Sequence, residues 1–453
     1  MNTKPRSTSY LIIGVMLFAL FFGAGNLIFP AQLGQHAGTN LIPAAIGFLI
    51  TGVGLPLLGI LAMGYSGSRN LQELSGRIHP VYGVLFTSIL YLTIGPFFAA
   101  PRTGTVAFEV GIAPFVPEES QQLGLFIFTI MFFVIALLFS LNPGKLVQNV
   151  GKVLAPALVI LMSILLIVAY FNPMGQIEAP QEAYQSGAFM KGFLEGYNTM
   201  DALASLVFGI IVLKTIRSMG ITTRKEVISA TAKSGLVAIT LLGIIYFGIS
   251  YLGATSTSVL GVFNTGGPVL SGAASHYFGT LGSYVLAVVI GLACLTTAIG
   301  LIVSNAEYFH TLFPRFSYRT LVVFFTLLTF IIANFGLANI IAYSIPMLMF
   351  LYPLAIVLMI LTFASPIFLH ARVVYVAAIF ITFMISLVDG IKTLCQSLEI
   401  EYYNWLAIII RFYENYLPLY SEGLGWFIPV VTVIIMMTIL IRLLKVSFKT
   451  VDA

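Results

Sequence analysis

Apolar runs of about twenty residues, parted by short charged or turn-rich stretches, recur along almost the whole chain. As helices rising 1.5 Å per residue, such runs match the hydrocarbon thickness of a bilayer. The pattern predicts membrane spans near 10–34, 39–64, 79–111, 122–141, 149–171, 189–213, 226–254, 281–311, 318–334, 338–363, 373–390 and 424–443, about twelve in all. Division is least sharp between 318–334 and 338–363 and at the limits of 373–390. The longest connections run near 254–280 and 391–423. The first carries Asn264-Thr265-Gly266-Gly267-Pro268 ahead of an apolar half. It reads equally as a re-entrant or surface helix over an outer vestibule and as an ordered loop. No connection is large enough for a separate globular unit, so 1–453 reads as one transmembrane domain.

Composition sharpens this to a membrane class. Hydrophobic residues make up 59% of the chain and charged ones 8%, where a soluble domain carries about 25% charged residues. Water cannot be the main solvent for such a surface. A basic lead, Lys4 and Arg6, precedes the apolar run from Tyr10 to Leu33. That run exceeds the ~7–15-residue core of a signal peptide, so Gly23-Ala24-Gly25 imitates a cleavage site inside a first span. With the N-terminus cytoplasmic, the inner segments hold all of the 21 Lys and Arg residues except Arg102, Lys191, Lys392 and Arg411. This bias predicts both termini in the cytoplasm of a plasma or inner membrane. Cys294 and Cys395 suggest no disulfide framework, and the 5 histidines form no ligand-spaced set.

Function is sought where polar or helix-breaking residues interrupt the spans, because a broken helix in lipid must be satisfied by protein, water or a ligand. The first span holds Gly23-Ala24-Gly25-Asn26 at mid-depth, read as an unwound stretch against the alternative of small-residue helix packing. The sixth holds Glu195-Gly196-Tyr197-Asn198-Thr199-Met200-Asp201. A late helix start capped by Asn198 or Thr199 is the plainer account of that patch. Spans one and six occupy matching places in two five-span halves, which is a sequence pointer to a transporter site. In span eight, Thr296 and Thr297 offer two hydroxyls suited to an alkali cation, although membrane threonines usually bond back to the preceding turn. In span three Arg102 needs a partner, with Glu109 seven residues on and Asp201 as candidates for an ion pair that braces a proline-kinked helix, against the alternative of direct substrate contact.

The motifs FFGAGNLIFP (21–30), GPFFAAPRTGTVAFEVG (95–111) and GYNTMDALASLVFG (196–209) resemble those of the branched-chain amino acid:cation symporters, the BrnQ type, over nearly the whole chain. The resemblance implies an all-α, leucine-transporter-like fold with two inverted five-helix repeats, about 10–171 and 189–363. Two further helices would fill about 373–443, and helices 1 and 6 would be broken. It implies symport of leucine, isoleucine and valine with sodium or a proton, without a resident cofactor or nucleic acid partner. By the same resemblance, the shared sodium site falls at the carbonyls of Ala19 and Phe22 and at Ala293, Thr296 and Thr297. Asn26 stands where some members of the fold bind a second sodium ion, while the span-six partner of that site finds no match here. A zwitterionic substrate would then meet Gly23, Ala24, Gly25 and Asn26 of the first break, with N–H groups near Gly25 and Asn26 for its carboxylate. Carbonyls near Tyr197 and Asn198 would take its ammonium.

Within transporters, the alternative is another neutral amino acid as cargo, or an exchanger without ion coupling. A membrane-embedded enzyme would need convergent catalytic groups, and no His/Asp/Glu cluster lies at one depth. A channel would need a repeated pore-lining pattern, which is not visible.

Overall fold

A chain surrounded by hydrocarbon must satisfy its backbone polar groups internally, which favours helices. The computed structural model describes residues 7–142, 145–218, 220–221, 223–444 and 450. Apart from an isolated bridge between Ala371 and Thr450, these residues form helices and short connections. Lys4, Arg6, Lys445 and Lys449, which enter the charge argument, lie outside the described residues.

The first run divides into α1 (Ser7–Phe21) and α2 (Gly25–Ala37). A π turn, Ile50–Gly54, joins α3 (Leu41–Leu49) to α4 (Leu55–Ser66), and α5 (Leu71–Gly76) follows. A second π turn, Thr93–Phe97, joins α6 (Pro80–Leu92) to α7 (Ala99–Gly111). Next come α8 (Gln121–Leu141), α9 (Lys145–Phe171) and the short α10 (Glu182–Gln185). The 3-10 turn Gly196–Thr199 separates α11 (Ala188–Glu195) from α12 (Asp201–Ser218). The chain continues through α13 (Arg224–Leu260), α14 (Gly267–Leu312), α15 (Tyr318–Ala333) and α16 (Leu337–Ala364). It ends with α17 (Arg372–Ser397), α18 (Asn404–Tyr416) and α19 (Phe427–Leu444). Among the described residues, 7 helical stretches are long and apolar enough to cross a membrane, alongside shorter apolar stretches within α9, α15 and α19.

Caps fix several helix starts. Asn70 accepts from the Glu73 N–H at the head of α5 at 2.8 Å, and Ser317 does the same for Thr320 in α15 at 3.1 Å. Gly279 interrupts α14 with φ 62° and ψ −159°, a conformation that a side chain would resist. The connection at 254–280 is therefore largely helical in its second half rather than an ordered loop. Helix α18 gives no span signal because it is only 13 residues long and carries Asn404, Arg411, Glu414 and Asn415. Leu406 and Ile410 bury against Val388 and Tyr420, while Trp405, Ile408 and Phe412 stand exposed.

Contacts between connections sort them into two groups. At one end Arg224 donates to the Tyr65 carbonyl at 2.6 Å, Arg77 to Ser66 at 2.7 Å and Arg372 to Ile78 at 2.9 Å. At the other, the Thr39 N–H donates to Glu178 at 3.0 Å, the Gln181 N–H to His36 at 2.9 Å and Gln32 to Asn264 at 2.7 Å. These bonds join connections that the charge pattern assigns to one side. Between the ends, Leu138, Ile160, Ile244, Val288 and Phe324 stand exposed on the long helices. An apolar surface of this kind suits lipid. The protein is a multi-pass membrane protein.

Candidate functional site

Both expected interruptions are present. Helix α1 ends at Phe21, residues 22–24 are non-helical, and α2 restarts at Gly25 without a side-chain cap. Its first-turn N–H groups therefore face the interruption. Gly23 and Gly25 are not among the residues with positive φ, so their value is close approach. A β-carbon on Gly25 would stand 3.2 Å from the Phe29 ring and 3.7 Å from the Thr199 carbonyl oxygen.

The second interruption is tighter. Gly196, Tyr197, Asn198 and Thr199 form the 3-10 turn, and Met200 then turns the chain with φ 61°. Met200 is buried, and a left-handed conformation outside glycine is strained unless its surroundings impose it. The π turn of the second run braces this stretch. The Thr51 hydroxyl donates to the Phe193 carbonyl at 2.7 Å, and a β-carbon on Gly52 would lie 3.6 Å from the Thr199 methyl. A helix does start late here, at Asp201, whose N–H donates to the Thr199 hydroxyl at 3.4 Å. The preceding residues form a turn of their own, with Asn198 donating to Glu195 at 2.7 Å and the Thr199 hydroxyl to the Gly196 carbonyl at 3.0 Å.

The two interruptions meet. The Asn26 side-chain amide donates to the Phe21 carbonyl at 2.8 Å and to Asp201 Oδ2 at 2.7 Å, and it also contacts the Tyr246 hydroxyl. Tyr246 donates to the same carboxylate oxygen at 3.1 Å. One polar knot thus ties α2, α12 and α13 together.

The ion pair anticipated for Arg102 is not formed. Arg102 Nη1 donates to the Asn198 carbonyl at 2.8 Å, Nη2 bonds the Ser344 hydroxyl, and the guanidinium lies 5.2 Å over the Phe29 ring. Glu109 shares the helix but accepts from Thr265 at 2.7 Å instead. It lines two cavities of about 530 and 390 Å³ beside the 113–121 connection. Asp201 is taken up by Asn26 and Tyr246. Among the described residues, ion pairs form only at Lys191–Glu195 (3.5 Å) and Lys392–Glu414 (3.2 Å).

The span-eight threonines lie against the first interruption: a β-carbon on Gly23 would sit 3.7 Å from the Thr297 methyl. The hydroxyls of Thr296 and Thr297 both donate to the Ala293 carbonyl, at 2.9 and 3.0 Å. Their lone pairs stay free for a cation. Ala19 falls in the last turn of α1 and Phe22 just beyond its end.

Sequence reasoning missed Phe29, Tyr246, Ser344 and Tyr352. The ring of Tyr352 stacks on Tyr197 with centroids 4.0 Å apart. The one signal for these residues was a hydroxyl or ring in an otherwise apolar run, which occurs throughout this chain.

Comparison with known proteins gives the chain's family and fold. The chain is 47% identical over 431 residues to the branched-chain amino acid permease BrnQ of Bacillus subtilis (strain 168), covering 95% of this chain and 96% of that protein. To BrnQ of Escherichia coli (strain K12) it is 39% identical over 436 residues, covering 96% of each. Among solved structures, the inward-facing conformation of Mhp1 superposes with a TM-score of 0.59 at 15% identity, covering 96% of this chain and 90% of that one. That likeness speaks for a leucine-transporter-like fold alone. Residues 6–444 match the family described as "Branched-chain amino acid transport protein". With that match and these permease relatives, the chain belongs to the branched-chain amino acid transport proteins, a family of transporters and not of enzymes.

Proposed function

We propose that the protein carries leucine, isoleucine and valine into the cell together with sodium, or a proton in its place, by alternating access. In this reading about twelve spans form two inverted repeats, 10–171 and 189–363, with two added helices within 373–443. Both termini are cytoplasmic. The observation that carries the reading is the meeting of two interrupted helices through Asn26 and Asp201, at 2.7 Å, with Thr297 packed on the first interruption. Free N–H groups at the head of α2 suit a substrate carboxylate. The substrate site comprises Gly23, Ala24, Gly25, Asn26, Tyr197 and Asn198. The coupling ion lies among Ala19, Phe22, Ala293, Thr296 and Thr297, a set of neutral oxygens suited to a hard monovalent cation.

A neutral zwitterion moving with one cation carries one positive charge inward. At 100 mV this supplies about 2.3 kcal/mol, roughly fortyfold accumulation. Leucine uptake into proteoliposomes, driven by a sodium gradient and separately by a proton gradient, tests the reading. Electrogenic uptake with either ion supports it, and ion-independent exchange overturns the coupling. Orientation is read by thiol labels on exposed positions. Ser120→Cys and Ser421→Cys react from outside intact cells, and Ser218→Cys reacts only after permeabilisation.

A further inference from the structure

Two ionisable side chains of opposite sign lie within the protein at the second interruption, and among the described residues neither has an ionic partner. Arg102 and Asp201 are both buried. Among the described residues, no carboxylate pairs with the first and no base with the second. An uncompensated buried charge is costly, so an arrangement that holds two of them requires a physical reason.

Both charges are fixed against the same two elements. Arg102 bonds the Asn198 carbonyl and lies over Phe29. Asp201 opens the helix three residues after Asn198 and bonds Asn26. Asn26 and Phe29 are one helical turn apart on α2, about 4.5 Å along its axis. The charges therefore flank one short stretch without touching. Further polar atoms nearby lack partners: Arg102 Nε and the hydroxyls of the stacked Tyr197 and Tyr352 are buried with no hydrogen bond. Such orphaned groups are few in native proteins and require an explanation, which a bound water, ion or ligand supplies.

We propose that Arg102 and Asp201 form a charge clamp for the substrate zwitterion, the guanidinium taking its carboxylate and Asp201 its ammonium. This rests on the reading of the protein as an amino acid carrier and replaces recognition by backbone groups alone. A zwitterion bridges both charges without adding net charge. Two charge-assisted contacts of about 2.8 Å each, with roughly 3 Å between the ends of the amino acid, bridge groups about 8–9 Å apart that do not touch one another. Phe29 and the two stacked tyrosines supply apolar surface beside the branched side chain.

The test is competition against radiolabelled leucine on purified protein in lipid nanodiscs with sodium present. Two competitors each lack one end of leucine: 4-methylpentanoate has no ammonium, and 3-methylbutylamine has no carboxylate. In the wild type each should bind at least roughly thirtyfold more weakly than leucine, because it leaves one buried charge unpaired. Arg102→Gln should bring the amine to within about tenfold of leucine and leave the acid weak. Asp201→Asn should do the converse. A bracing role would weaken all three ligands together, so unchanged ranking in both variants overturns the clamp. A changed sodium requirement in Asp201→Asn with unchanged ranking also overturns it, by making the carboxylate an ion ligand. If a variant fails to fold, the wild type decides: either competitor binding as well as leucine overturns the clamp. Wild-type protein that binds no leucine overturns instead the proposed function on which the clamp rests.

Discussion

The two interruptions solve one problem in different ways. The first, at residues 22–24, follows Phe22 with the small residues Gly23 and Ala24, has no positive φ at its glycine and contains no ionisable side chain. It presents backbone groups, and its neighbours come close: Thr297 on one side, Phe29 and the Thr199 carbonyl on the other. The second turns through the left-handed Met200 and is braced by the π turn at Ile50–Gly54. It carries the chemistry in side chains, with Arg102 bonded to its carbonyl at Asn198 and Asp201 at its exit. An interruption made of small residues can admit an ion or a carboxylate with little built around it. An interruption holding charges must fix them from several elements, here α2, α7, α13 and α16.

If the second interruption depends on its charges, the largest loss should follow from removing one. Arg102→Gln leaves the Asn198 carbonyl and the Ser344 hydroxyl short of a charged donor, and it leaves Asp201 without its buried counterpart of opposite sign. Breaking a buried charged contact costs about 3–5 kcal/mol, so leucine uptake should fall by two to three orders of magnitude. Adding Glu109→Gln should rescue nothing, because Glu109 bonds Thr265 and not Arg102. Rescue in initial-rate uptake would restore the ion pair and dissolve the contrast between the two interruptions.

The next effect bears on the first interruption. Gly25→Val places a branched side chain where even a β-carbon comes 3.2 Å from the Phe29 ring. It should insert and fold, since the backbone there needs no positive φ, yet leave uptake at a few per cent. Normal uptake would mean that substrate does not approach α2 at Gly25.

A smaller effect separates the ion from the substrate. Thr296→Val and Thr297→Val keep shape and remove one hydroxyl each. A missing ligand in a dry site costs roughly 1–3 kcal/mol, so the sodium needed for half-maximal uptake should rise about tenfold or more. Apparent leucine affinity should fall with it, because binding linkage is reciprocal. If both variants keep wild-type sodium dependence, the first interruption serves the substrate alone and a proton-coupled mechanism gains.

Legibility followed the same division. The glycines of the first interruption and the polar run of the second stand out against apolar neighbours, so both were readable as helix breaks. Helix extents were readable where length and hydropathy act together, as in α8 and α16. Partners across the fold were not. The spacing of Arg102 and Glu109 suggests one helix face, but it cannot tell that Thr265 claims the carboxylate from another element. Nor can it tell that Tyr246, in the middle of an apolar run, reaches Asp201. The helix at α18 escaped because it is short and its apolar residues are interspersed with Asn404, Arg411, Glu414 and Asn415.

The smallest expected effect is the sharpest check on the claim that the first interruption is held by its surroundings rather than by glycine chemistry. Gly23→Ala adds one methyl group, which would stand 3.7 Å from the Thr297 methyl, an ordinary contact. No positive φ opposes it. What remains is propensity: alanine favours a continuous helix over glycine by about 1 kcal/mol, a bias toward closing the gap between α1 and α2. If packing against α13 and α14 holds the gap open, that bias changes leucine uptake by no more than about fivefold. The sodium dependence should stay close to wild type, since the Thr296 and Thr297 hydroxyls are untouched. A loss as deep as that of Gly25→Val, measured in the same proteoliposomes, would mean that glycine flexibility itself maintains the first interruption, and that the two interruptions differ in their side chains but not in their need for a strained backbone.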